Sequence, residues 1–209
     1  QSQGRGRHGR RWSSPPGNLY CSLLLRPAVT PAQAAQLTFV AVLAVADAVE
    51  EALAGAAPRP GLRCKWPNDV LIDGRKCAGL LLESSTAADG RLEHVIVGCG
   101  INAASHPEGA DYPVTSLKAA GGRDDVAWLL GAYANRFLHW MGVWRGAGFE
   151  PLRAAWLARA GAAGQSLRVR LGQSTVEGRF ETIDAGGALV LAMGNGRRQV
   201  IAAGEVLSG

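Results

Sequence analysis

LRCKWPNDVLIDGRKCAGLLLE, residues 62–83, is the stretch on which the fold turns. Val70-Leu71-Ile72 and Cys77 to Leu82 are strand-like runs on either side of Asp73-Gly74, a dipeptide that predicts a tight hairpin. Lys76 falls just after the turn. Pro67 restricts the backbone of Trp66 to extended geometry, which would present Asn68 and Asp69 at a strand edge rather than in a helix. Strand alternation puts Lys76 and the residues two and four beyond it on one face, and Gly79 on the other. A plainer account of the same residues is an ordinary turn with Arg75 and Lys76 solvated beside it.

Working outward, residues 32–53, entered through Pro31 and left through Gly55, predict one long helix with an alanine-rich interior that packs on a sheet. Downstream, His94 to Gly100 is a third, β-branched run, with Ile101-Asn102 where a loop begins. Asp125 to Trp144 has helical spacing, and Phe149 to Ala160 a second, shorter helix before Gly161 and Gly164. Composition then changes. Leu167 to Leu171, Thr175 to Ile183, Ala188 to Met193 and Gln199 to Val206 predict short strands between glycine turns, a small β-barrel. No internal repeat is present.

The chain has 209 residues, 47% of them apolar, enough for a packed core of globular type. The longest apolar stretch, Leu37 to Val49, is short for a bilayer and contains Asp47, so a buried amphipathic helix is expected and no transmembrane segment. The chain opens on Gln1 rather than Met, inside a functional-looking run, so further residues are expected upstream. Four cysteines without a C-x-x-C pair fit a reducing cytoplasm better than a disulfide scaffold. His8, His94, His106 and His139 are scattered, which disfavours a zinc site. The net charge of +5 points to an anionic partner: nucleic acid, a phosphorylated ligand or an acidic protein. Arg5, Arg7, Arg10 and Arg11 concentrate that charge at one end.

Three segments carry chemistry. In Gly4-Arg5-Gly6-Arg7-His8-Gly9-Arg10-Arg11-Trp12, glycines let the backbone approach a ligand while guanidinium forks suit carboxylate and phosphate. An Arg-Gly tail that binds RNA, or has no fixed structure, would look the same. Lys65-Trp66-Pro67-Asn68-Asp69 with Gly74-Arg75-Lys76 and Gly79 is the second. In the third, Gly98-Cys99-Gly100-Ile101-Asn102, glycines leave a strand and Asn102 can donate and accept. Neither a dinucleotide G-x-G-x-x-G opening a helix nor a Walker motif is present, which argues against an ordinary Rossmann or P-loop site.

Together these segments resemble the catalytic domain of biotin protein ligases, with their G-R-G-R-x-G-R-x-W, K-W-P-N-D followed by G-R-K-x-x-G, and G-x-G-I-N signatures. The likeness spans nearly the whole chain, since that family ends in a small SH3-like barrel, here residues 165–208, with Gly204-Glu205-Val206 as its closing strand. The resemblance implies an α+β fold: a mixed sheet with helices of the class II synthetase-like, biotin-lipoate ligase type over residues 1–163, followed by the SH3-like β-barrel over 164–209.

It also implies a reaction. Biotin and ATP, with Mg2+, would give biotinyl-5'-AMP and pyrophosphate, and biotin would pass to one lysine of the biotin carboxyl carrier domain of a carboxylase. By position in the motifs, Gln1, Arg5, Gly6, Arg7, Lys76 and Gly79 would contact biotin or its adenylate. Arg10, Trp12, Asn68, Asp69 and Asn102 would lie around the nucleotide, and Lys76, Arg7 and Asp69 would be catalytic, the role of Asp69 staying open. Metal ligands are not assigned. A homodimer stays open; a membrane partner is not expected, nor is nucleic acid.

The sequence departs from the family in three respects. An upstream Ser/Thr-Thr-Asn segment and an amino-terminal helix-turn-helix with repressor function are not seen, and Ala103 and Ala104 stand where polar residues are common. The rival accounts are a lipoyl or octanoyl transferase of related fold, which would not pair the arginine loop with W-P-N-D, and a nucleic-acid-binding module, which leaves residues 65–69 and 98–102 unexplained.

Overall fold

The computed structural model describes residues 3–194 and 196–207. The arginine-rich segment is not a tail: β1 (Gly4–Arg5) pairs with β2 (Arg11–Trp12) around a 3-10 turn at Arg7–Gly9. Next comes β3 (Leu19–Leu25), an apolar run after Pro15-Pro16-Gly17 that the sequence reading passed over. The expected long helix is broken into α1 (Pro31–Ala34) and α2 (Leu37–Ala52). Thr30 and Gln33 cap α1 reciprocally, so the first turn is a closed unit.

β4 (Leu62–Lys65), β5 (Asp69–Ile72), β6 (Arg75–Thr86) and β7 (Leu92–Ile101) follow, giving a sheet in the order β3-β7-β6-β5-β4. Its ladders are antiparallel, with an isolated parallel bridge between Lys76 and Val114. The Asp73-Gly74 turn is as expected, both residues at positive φ, 48° and 74°. Trp66-Pro67-Asn68 makes the tight turn between β4 and β5, with a cis bond before Pro67, and sets Asn68 and Asp69 at the edge of β5, where Lys65 pairs with Asp69. One local expectation fails: the β5–β6 register slips, Lys76 opposite Leu71 but Ala78 opposite Val70. That bulge at Cys77 adds one residue and inverts the alternation beyond it, so Gly79 lies on the same face as Lys76.

The α2 helix is the centre of the core. Phe39 to Ala46, Ala48 and Val49 are buried, with the alanines letting the sheet and α3 (Val126–Ala147) approach closely. Asp47, its buried-face charge, accepts from Trp140 Nε1 at 2.8 Å and Arg159 at 2.7 Å, which satisfies the carboxylate. Residues 31–52 have the length and hydropathy to cross a membrane, yet two-thirds of the most apolar window is buried inside the protein.

After α4 (Glu150–Leu157), β8 (Ser166–Leu171), β9 (Ser174–Ile183), β10 (Leu189–Ala192), β11 (Arg198–Ile201) and β12 (Glu205–Val206) form a second antiparallel sheet, β11-β10-β9-β8-β12, of SH3-like type. The run expected as one strand over 199–206 is two, separated at Ala202-Ala203-Gly204 so that β12 can close on β8. This sheet docks through Trp156, whose ring meets Phe39 at 5.8 Å and Phe180 at 6.5 Å edge-on. Trp66 Nε1 donates to the carbonyl of Gly187 at 3.0 Å. Docking brings β8 and β12 up against the arginine loop.

Candidate functional site

A cleft of about 710 Å³ opens between the arginine loop, the exposed face of the main sheet, residues 109–114 and the β8–β12 edge. It brings together Arg5, Gly6, Arg7, Arg10, Trp12, Asn68, Asp69, Lys76, Gly79 and Asn102 from the three separate motifs. Gln1, expected at biotin, lies outside the described residues. Among the described residues, eight Lys and Arg side chains line the cleft against four Asp and Glu, so its field favours an anion.

Lys76 is its central charge. The backbone is clamped, Lys76 N donating to Pro113 O and Thr115 N to Lys76 O, each at 2.9 Å. Nζ sits 5.4 Å from the Trp12 ring centre and 5.3 Å from that of Tyr112, and 2.7 Å from Asp69 Oδ1. That last contact is an ion pair outside hydrogen-bond angles, since Asp69 Oδ1 is buried with no hydrogen bond among the described residues. Both side chains are less than one-fifth exposed, so their charges are screened far less than a surface pair's.

Trp12 packs on two glycines that face each other across β6 and β7, Gly79 and Gly100. A Cβ at Gly100 would come within 2.7 Å of the indole, and one at Gly79 within 3.0 Å of both Trp12 and Lys76. The absence of side chains makes the seat. Trp12 Nε1 is buried without a hydrogen-bond partner among the described residues, a donor left over at the cleft.

The loop over this floor is held by its own bonds and by carboxylates. Gly6 N donates to Arg10 O at 2.7 Å, Arg5 pairs with Glu83 at 3.2 Å, and Arg10 pairs with Glu205 of β12 at 2.7 Å. Burial pushes the Glu205 carboxyl up, but the hydrogen bond and charge of Arg10, with Arg170 and Lys65, outweigh it and hold the group below its ordinary value. Arg7 is half-buried, and that desolvation lowers its pKa against the pull of Asp69 and Glu205. A desolvated guanidinium gains more from a substrate anion than a hydrated one.

The lowered Glu205 value gives the link a pH sense. A depressed carboxyl stabilises where it is ionised, above its ordinary 4.5, and the contribution fades as pH falls through the lower folded value. Glu205→Gln should therefore reproduce at pH 7 what acid does to the native chain. Exposed pairs contribute about 0.2–1 kcal/mol, so amide exchange at Gly6 and Arg10 should accelerate by up to about fivefold. Unchanged exchange would mean that the loop's internal bonds hold it alone.

The two asparagines line the cleft and also hold its backbone in place. The side-chain amide of Asn68 donates to Leu80 O, while Leu80 N donates to Asn68 O at 3.0 Å, tying the turn to β6. Asn102 is almost fully buried and donates to Thr115 O at 3.0 Å, pinning the segment that clamps Lys76. The sequence reading missed Tyr112 and the β8 pair Arg168 and Arg170, and named Glu205 only as part of a strand. Alternate arginines in a short strand were the available signal for Arg168 and Arg170.

Residues 1–102 match the biotin/lipoate A/B protein ligase family, and residues 163–208 match the biotin protein ligase C terminal domain. A biotin--[acetyl-CoA-carboxylase] ligase of Paracoccus denitrificans is 44% identical over all of this chain and 88% of its own length. The bifunctional ligase/repressor BirA of Bacillus subtilis is 35% identical over 97% of this chain, which spans 62% of that longer protein. Among solved structures, the biotin protein ligase of Aquifex aeolicus in complex with biotin and ATP superposes with a TM-score of 0.81 at 28% identity, covering 99% of this chain and 84% of that one. With both ends of the chain matched and a relative of nearly equal length aligned throughout, the chain belongs to the biotin protein ligase family.

Proposed function

We propose that the chain activates biotin with ATP and transfers it to a lysine of a biotin carboxyl carrier domain. In the first step a biotin carboxylate oxygen attacks the α-phosphorus and the bond to pyrophosphate breaks. In the second, the lysine amine attacks the biotinyl carbonyl, an amide forms and AMP leaves. The observation that carries this reading is Lys76, held between two aromatic rings over a glycine floor and beneath an arginine loop.

Bringing the two substrates together is an electrostatic problem. Unit charges about 4 Å apart repel by about 1 kcal/mol in water and about 4 at the effective dielectric of a protein surface. Lys76 would bridge the carboxylate and α-phosphate, with Arg5 and Arg7 beside biotin and Arg10 and Trp12 beside the nucleotide. Arg5, Arg10 and Lys76 are paired with Glu83, Glu205 and Asp69. Substrate binding thus exchanges one anionic partner for another rather than desolvating bare charges. Asp69 is the nearby acceptor for the proton that the attacking lysine must lose, or the group that orients the nucleotide.

Magnesium would enter with the triphosphate. Among the described residues no group of three or more His, Cys, Asp or Glu could cage a metal ion. Single carboxylates fit an ion held chiefly by phosphate oxygens and water, whose charge would offset that of the leaving pyrophosphate. We assign residues 1–163 to the ligase unit and 164–209 to the SH3-like unit, and place the protein in the cytoplasm. Free Cys21, Cys64, Cys77 and Cys99 support a reducing compartment.

Exchange of labelled pyrophosphate into ATP tests the proposal. Exchange that requires biotin and is not supported by lipoate or octanoate is the expected result. Exchange driven by lipoate would assign the chain to another acyl substrate.

A further inference from the structure

Two of the cysteines have no part in the reaction above. Cys21 of β3 and Cys99 of β7 stand directly opposite each other in the antiparallel ladder, and both thiols are free. Along β7, Val95, Val97, Cys99 and Ile101 are buried in the core, whereas Gly100 lies against the Trp12 ring on the opposite face. The thiol pair therefore backs the strand whose other face seats Trp12. Tyr133 of α3 closes over the pair, fully buried and with no partner for its hydroxyl among the described residues.

The two thiols are unequal. Cys21 is on the edge strand and partly exposed, and its hydrogen bond with Cys99 draws its pKa below the ordinary value despite burial. The same bond, together with burial, pushes Cys99 well above it. A partly accessible, more acidic thiol beside a sealed one is the arrangement of an attacking and a resolving cysteine. Cys64 and Cys77 are buried, pushed up to about 12, and Cys64 faces Val70 rather than another cysteine.

Directly opposed residues in such a ladder have Cα atoms about 4.5–5.5 Å apart, inside the range of about 4.4–6.8 Å for a disulfide. Their Cβ atoms, about 4.5–5.5 Å apart, must close to about 3.8 Å. On these general spacings the bond forms with β7 drawn toward β3. A disulfide closed under such strain is more readily reduced, which suits a reversible switch rather than a permanent staple.

We infer that Cys21 and Cys99 form a reversible oxidation site, at which a hydroperoxide closes a cross-strand disulfide that disturbs the Trp12 seat and slows the enzyme. The Cys21 thiolate attacks the terminal peroxide oxygen, the O–O bond breaks, and with one proton the products are a sulfenic acid and water or an alcohol. The Cys99 thiol then attacks that sulfur, the S–S bond forms, and the hydroxyl leaves as water with the thiol proton. A shift of about 1 Å near a reacting centre can cost up to roughly 10²-fold, so the oxidised protein should lose at least about tenfold in rate.

The activity readout rests on the proposed ligase reaction; the chemical readout does not. The chain is treated with hydrogen peroxide, and peptide mapping and biotin-dependent pyrophosphate exchange are followed with and without dithiothreitol, in wild type, Cys21→Ser and Cys99→Ser. Expected are a linked Cys21–Cys99 peptide pair, absent from both variants and reversed by dithiothreitol, faster amide exchange over residues 4–12, and a rate that falls only in wild type. Absence of the linked pair overturns the proposal. A linked pair with unchanged exchange at residues 4–12 and an unchanged rate overturns the coupling to the seat. If the reduced protein shows no pyrophosphate exchange at all, the ligase reading fails, while peptide mapping and amide exchange still decide the disulfide.

Discussion

Lys76→Ala is expected to slow adenylate formation by at least about tenfold, since a charge-assisted hydrogen bond contributes about 1.5–3 kcal/mol. Losing a preorganised donor at developing charge can cost roughly 10²–10³-fold. Two features push toward the larger figure. The ammonium is held in place before substrate arrives, by backbone bonds to Pro113 and Thr115 and by the rings of Trp12 and Tyr112. Its removal also leaves the Asp69 carboxylate without its ion pair, so the site gains a negative charge facing two anionic substrates. Arginine should not rescue, because the Cβ position at Gly79 is already 3.2 Å from Nζ and leaves little room for a planar fork. Pyrophosphate exchange by the purified variant is the measurement. A rate equal to wild type would remove Lys76 from the reaction.

The second large effect is expected at Gly100. A Cβ there overlaps three atoms of the Trp12 indole at 2.7–2.8 Å, so Gly100→Val must lift the ring from the sheet. Trp12 is one end of the small hairpin whose other strand carries Arg5, and Lys76 lies against the same ring. Displacing the ring by about 1 Å or more should cost on the order of 10²-fold in adenylation. The effect on folding should be small, because the clash is with a group on the cleft side of the sheet rather than with its core. The check is pyrophosphate exchange alongside thermal melting. Full activity would show that the Trp12 seat is dispensable, and a collapsed melting curve would show that Gly100 serves the sheet instead.

Much of this was legible in the chain itself. Asp73-Gly74 between two apolar runs marked the hairpin, because few dipeptides adopt two successive positive φ values. Helical spacing over 125–144 and the glycine-punctuated strands after 165 marked the rest of the fold class. The candidate site residues that the structure describes line one cleft.

What escaped the sequence were relations that depend on partners distant along the chain or on register. The break between α1 and α2 follows a local cap that outweighed a long helical pattern. The bulge at Cys77 moved Gly79 onto the face of Lys76, because alternation is a rule for an unbroken ladder and a bulge is set by the neighbouring strand.

The residues at 4–12, 65–79 and 98–102, through charge, glycine placement and turn chemistry, thus determined the family and the kind of site. Only the tertiary structure decided that Glu205 meets Arg10 from 195 positions away, that Gly79 and Gly100 together seat Trp12, and that Cys21 faces Cys99. The physical reason is one of range. Turn geometry and periodicity are properties of a few consecutive residues, while a cleft is made where sheets and loops pack, and packing is settled by the whole core at once.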